Sequence, residues 1–171
     1  MILLVFGVAL ADEPSTMLEK LATSAGNVYV KSFSTPRRIG CSYGVKMEME
    51  AVTIRPLIGA SASGLQLDIN EGERGRHEVA FLDADEVDSL ASALKYMDAF
   101  DPTTAPFPSW EVDYRSRGEV QVGLFNRGEE RLISVAVGRV VPAHCFLDSA
   151  AEFQIAISTM QALLPKAIPA K

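Results

Sequence analysis

A chain of 171 residues, 48% hydrophobic and 22% charged, has room and apolar material for one domain or for two halves sharing a core. That composition excludes the disordered and fibrous classes. Sixteen Lys and Arg against 22 Asp and Glu leave a net charge of −6, a field that repels phosphate backbones and anionic lipid surfaces and makes nucleic acid an unexpected partner.

The first eleven residues, Met1 to Ala11, are apolar and uncharged, and Asp12, Glu13 and Pro14 then change the character abruptly. The run is shorter than the ~20 residues of a spanning helix, and Ala9-Leu10-Ala11 has the small-x-small pattern of a signal-peptidase site. A signal peptide over 1–11 is therefore expected, although no Lys or Arg precedes the apolar run; a buried strand over Ile2 to Val8 is the alternative. The mature chain, 12–171, is then a single globular domain in the periplasm or outside the cell, with no transmembrane segment. Cys41 and Cys145 make an even count, which in such a compartment permits one disulfide. Two buried free thiols are the competing reading.

From Ser15 to Ala25 the pattern is a short amphipathic helix, with Met17, Leu18 and Leu21 on one face. The period then becomes two: a strand at Val28 to Phe33, and a second in which Val45, Met47, Met49 and Ala51 alternate with Lys46, Glu48 and Glu50 until Pro56. The cluster Gly59 to Gly64 turns the chain into Leu65, Leu67 and Ile69, and Val79 to Leu82 form a further run. Val87, Leu90, Leu94 and Met97 recur at helical spacing, so a helix is predicted over Ala84 to Phe100, with Asp83 and Glu86 as its capping pair. Asp101 to Pro108, with three prolines, links two halves. Beyond it come strands at Trp110 to Tyr114 and Val120 to Leu124, a long run at Leu132 to Val141, and a helix over Ser149 to Leu164.

The halves echo each other. Phe81-Leu82-Asp83 and Phe146-Leu147-Asp148 are the same tripeptide before a helix, and Gly64 and Gly118 each open an alternating strand. Two pseudo-repeats, 43–100 and 108–164, follow, and the fold class is α+β: tandem antiparallel meander-plus-helix units behind a short helix and strand. This layout, over Tyr43 to Leu164, resembles the Whirly and PUR-repeat single-stranded nucleic-acid binders. The resemblance implies two copies packed as one globule with a basic, aromatic sheet surface, and the acidic composition argues against carrying the function over. The leader, the Ser-Ala-Ser-Gly turn and the Phe-Leu-Asp-Ala-Asp-Glu helix start also resemble uncharacterised exported bacterial proteins, which imply no activity.

No catalytic, cofactor or metal signature emerges. Gly59 to Gly64 is a turn ahead of a strand, unlike a nucleophile elbow between strand and helix. His77 and His144 lie in no recognisable motif. Asp83, Asp85, Glu86 and Asp88 could offer oxygens to Ca²⁺ but lack the glycine and glutamate spacing of a calcium loop, and read as a helix start favoured by the helix dipole. Cys41, His77, His144 and Cys145 lack any Cys-x-x-Cys element for zinc. Trp110, Tyr114, Arg115 and Arg117 are the binding-surface candidates, with Phe107 and Phe125 nearby. The expected function is a non-enzymatic exported module binding a protein, peptide or glycan. A periplasmic hydrolase using one histidine is the alternative, as is a single-stranded nucleic-acid binder if the leader is misread.

Overall fold

Residues 16–73, 75–147 and 149–165 are described by a computed structural model; the expected leader over 1–11, Arg74 and Asp148 lie outside the described residues. Thr16 caps α1 (Met17–Thr23) through a capping box with Glu19, which satisfies donors a helix start otherwise leaves unpaired. The first sheet holds β1 (Tyr29–Phe33), β2 (Arg37–Gly40), β3 (Lys46–Pro56), β4 (Ala62–Asn70) and β5 (His77–Asp83). All its pairings are antiparallel, with β1 and β2 sharing one edge of β3: β1 pairs with residues 52–56 and β2 with residues 46–49. The sheet leads into α2 (Ala84–Ala99).

The second unit repeats the plan. β6 (Glu111–Arg115), β7 (Val120–Arg127), β8 (Glu130–Val137) and β9 (Ala143–Leu147) form a four-stranded antiparallel meander that leads into α3 (Ala150–Gln161). The α+β class and the two meander-plus-helix units are those the periodicity predicts. The first unit also takes in the two short strands before Tyr43, so its first strand is a broken one. The strand expected over Leu132 to Val141 ends at Val137, because Gly138 turns the chain at φ +114°, a conformation glycine adopts without steric cost.

One core runs through both units. Met47, Met49, Leu65, Leu67, Leu82, Leu90 and Leu94 of the first unit join Val122, Val135, Cys145, Phe153 and Ile157 of the second, and each is excluded from water. β3 changes its buried face midway: Met47, Met49 and Ala51 face this core, whereas Val52 and Ile54 face the other way, onto Leu18 of α1. A strand buried first on one face and then on the other needs a cover on each, and α1 is the second cover.

The units meet at the end of β5. A Cβ on Gly64 would run into the Leu82 carbonyl oxygen, and one on Gly118 into that of Phe81. The Asp83 carboxylate accepts the amides of Met17 and Leu18 at 2.7 and 3.1 Å, while Glu86 accepts those of Asp83 and Arg117 at 3.2 and 2.7 Å. Two buried carboxylates thus tie α1, α2 and the β6–β7 turn together.

Candidate functional site

The disulfide Cys41–Cys145 joins the loop after β2 to the middle of β9, with Cα atoms 5.4 Å apart and a sequence separation of 104. Cys145 is buried in the core and Cys41 packs against it. The thiols are therefore bridged, as an even cysteine count permits.

Immediately after Cys41 the chain makes a single 3-10 turn, Ser42–Gly44, in which Tyr43 has φ 61° and ψ 23°. Left-handed backbone costs a residue with a Cβ ~1–2 kcal/mol. Tyr43 is also 85% exposed, so burial does not offset that cost. Its ring meets the edge of Phe146 with centroids 6.4 Å apart and planes at 89°, and Phe146 meets Phe125 at 6.5 Å and 74°. Both geometries are the edge-to-face arrangement favoured by the aromatic quadrupole. Arg127 sits in electrostatic reach of Tyr43 and pairs with Glu130 at 3.1 Å.

These rings occupy the outer face of the second sheet, and register dictates it. Val122, Leu124, Ile133, Val135, Cys145 and Leu147 point inward, so the residues between them point out: Phe125 pairs with Leu132 and with Glu111, and Ser134 pairs with Phe146. Phe125, Phe146 and Leu132 are half-buried. The result is an aromatic and aliphatic centre with Glu111, Asp113, Arg115, Arg127 and Glu130 around it.

The surface continues over the edge of β6. Ser109, Trp110, Glu111, Phe125 and Asn126 line a cavity of about 400 Å³, and the proline-rich linker with Phe107, Trp110 and Arg131 lines another of about 520 Å³. Trp110 is held from both sides. Its ring packs on Phe100 at 5.0 Å, and its amide donates to the Asn126 side chain at 2.9 Å. Asn126 in turn donates to the Pro108 and Gly128 carbonyls.

The four binding-surface candidates fall in different places. Trp110 lines both cavities. Arg115 stands exposed on the outer face across from Gln121. Tyr114 packs against the core, its hydroxyl 3.5 Å from the Glu86 carbonyl, and burial pushes its pKa up. Arg117 binds Asp85 at 2.6 Å and lies 3.8 Å from Asp83 and 3.4 Å from Glu86. Asp83, Asp85 and Glu86 do converge within 4.8 Å, but the guanidinium and four backbone amides already occupy them. Asp88 faces away and accepts from Gln161 at 2.6 Å, joining α2 to α3.

Both histidines lie on outer sheet faces. His77 contacts Asp68 at 3.0 Å, and the backbone amide of His144 donates to Glu71 at 2.9 Å. Glu71 also accepts the Arg76 amide, and these two amide bonds hold its carboxyl below the usual range.

No pattern in the sequence marks Tyr43 or Phe146 as a surface residue. The signal for Tyr43 was faint: an aromatic between Ser and Gly, two positions after a cysteine. Among the described residues no helix is long and apolar enough to cross a membrane. The chain matches no family model, and no curated protein sequence and no solved structure is significantly similar to it.

Proposed function

We propose that this protein is a non-enzymatic binding module of an oxidising compartment, and that it takes a protein or peptide partner on the outer face of its second sheet. The observation that carries the reading is Tyr43. An exposed aromatic in left-handed backbone, two residues from a disulfide, has a cost in the isolated molecule, and such costs gather where a partner is met. The surroundings fit protein recognition. A centre of Tyr43, Phe125, Phe146 and Leu132 inside a mixed ring of Glu111, Asp113, Arg115, Arg127 and Glu130 has the apolar core and polar rim of a protein interface. The rim has both signs, whereas single-stranded nucleic acid calls for a groove of one positive sign. The hydrolase alternative draws no support from the histidines, one bonded to an aspartate on an open sheet face and the other on the outer face of the second sheet, where its backbone amide donates to Glu71.

The test is a selection of phage-displayed random peptides on the oxidised protein, followed by NMR mapping of the selected peptides. Perturbed resonances are expected at Tyr43, Phe125, Leu132 and Phe146, and oligothymidine is expected to leave them unmoved. Peptides that map to the first sheet, or oligothymidine that perturbs the aromatic face, would overturn the proposal.

A further inference from the structure

The far end of the first sheet exposes aliphatic side chains in a row. Leu57 and Ile58, at the tip of the β3–β4 hairpin, are 79% and 90% exposed, and Val28 and Val30 are 71% and 63% exposed. Val30 pairs with Arg55, and the Leu57 amide donates to the Val28 carbonyl at 2.9 Å. Val28, Val30, Arg55 and Leu57 therefore share one face of the ribbon, past the point where Met47, Met49 and Ala51 meet the core.

This end is also cationic. Lys31 reaches back over the Tyr29 ring, 5.4 Å from its centroid, and the Tyr29 hydroxyl donates to Ala22 in the last turn of α1, the turn that carries Lys20. Between Lys20 and Ser34 the charged residues are Lys20 and Lys31, and from Ala51 to Leu67 Arg55 is the only one; Glu19, beside Lys20, pairs with Arg139 at 3.0 Å, and Arg37, Arg38 and Lys46 belong to the other end of β3, where Arg38 pairs with Glu48 at 2.9 Å. A net charge of −6 argues against anionic surfaces only if the charge is evenly spread. Here it is segregated, and the nearest acids of β3, Glu48 and Glu50, lie roughly 20–26 Å along the strand from Pro56, beyond a Debye length of ~8 Å.

Singly exposed aliphatics need no explanation. Two consecutive large ones at a hairpin tip, beside Lys31 of β1 and Arg55 of β3 with the acids of β3 and β4 at the other ends of those strands, carry the paired chemistry of an interfacial lipid contact. We propose that this end docks on an anionic lipid surface, with Leu57 and Ile58 entering the headgroup boundary and Lys20, Lys31 and Arg55 facing the lipid phosphates. β3 spans eleven residues, so a module docked by its tip would hold Tyr43, at the other end of that strand, roughly 35 Å away.

The experiment uses the full chain with vesicles of phosphatidylcholine alone or with 40% phosphatidylglycerol. Ile58→Trp places an indole at the tip, read against the Trp110 signal of the unsubstituted protein. On phosphatidylglycerol vesicles carrying brominated lipid, the added emission is expected to shift to the blue and be quenched. Leu57→Ser with Ile58→Ser is expected to weaken partitioning at least tenfold, and Lys31→Ser with Arg55→Ser about fivefold for each cation removed. All four side chains are exposed, so unfolding midpoints should hold, with Lys31 giving up only its contact over the Tyr29 ring; were a variant to fail to fold, the indole reading stands by itself. Binding without quenching of the introduced indole would assign the contact to another segment, such as the apolar residues 1–11, and overturn the proposal. Absence of binding, or equal binding to phosphatidylcholine alone, would overturn it as well.

Discussion

The imidazole of His77 sits 3.0 Å from both oxygens of Asp68 on the open face of the first sheet. The hydrogen bond to Asp68, and then its charge, raise the His77 pKa above the ordinary value. The sign follows from linkage: a histidine whose folded pKa is raised stabilises the fold fully below the unfolded value of ~6.5, and that contribution is lost as pH rises through the folded pKa. Exposure keeps the energy small. NMR titration of Asp68→Asn is expected to move the His77 midpoint down toward the ordinary value; an unmoved midpoint would show that the pair does not exist in solution. Glu50, on the same face, has its pKa raised by burial, then by Glu48 and Asp68. The acidic character of this face is thus partly self-limiting. Neither His77 nor Glu50 was separable from a solvated surface by sequence alone, because period two assigns a side chain to a face but not to its diagonal neighbour.

At the scale of the element, what sequence conveyed well were the helices. Val87, Leu90, Leu94 and Met97 repeat at 3.6 residues and α2 covers Ala84–Ala99, within a residue of the expected Phe100. What it conveyed poorly depends on distant partners. β2 buries only Ile39, so four residues beginning Arg-Arg gave no pattern to read. The switch of buried face in β3 follows from α1 lying over Val52 and Ile54, which no local period encodes. Gly64 and Gly118 open strands of different rank, the third of one unit and the second of the other, and the extra strand after Gly118 accounts for its longer distance to the repeated tripeptide. Their common role is steric. Gly118→Ala is expected to destabilise by about 1–3 kcal/mol, because the added methyl meets the Phe81 carbonyl; an unchanged chemical-denaturation midpoint would contradict the close approach. Reduction of Cys41–Cys145 is expected to cost about 2–4 kcal/mol, on the order of 10 °C in unfolding midpoint for a domain of this size, and to loosen Tyr43 first, since the turn that carries it is anchored two residues away. Calorimetry with and without reductant, read beside the Tyr43 ring resonances, tests both.

For the molecule as a whole, the two meander-plus-helix units were legible because apolar alternation and two prolonged helical periods survive in the sequence even where the halves share little more than a tripeptide. The candidate surface was legible only in pieces. Trp110 and Phe125 stood out as aromatics near the second half, whereas Tyr43 reaches Phe146, the neighbour of Phe125, from the first unit beside a covalent bond with a sequence separation of 104, and pairing of that range is a tertiary fact. The central claim, that the strained tyrosine exists for binding and not for stability, can be put to one substitution. Tyr43→Gly removes the ring while relieving the left-handed backbone. The measurement is the affinity of a peptide selected on the aromatic face, taken alongside the unfolding midpoint of the same variant. A loss of at least tenfold in affinity, about 1.4 kcal/mol, with a midpoint unchanged or raised, is the predicted result; an unchanged affinity, or a lost affinity that merely tracks a lowered midpoint, would contradict it.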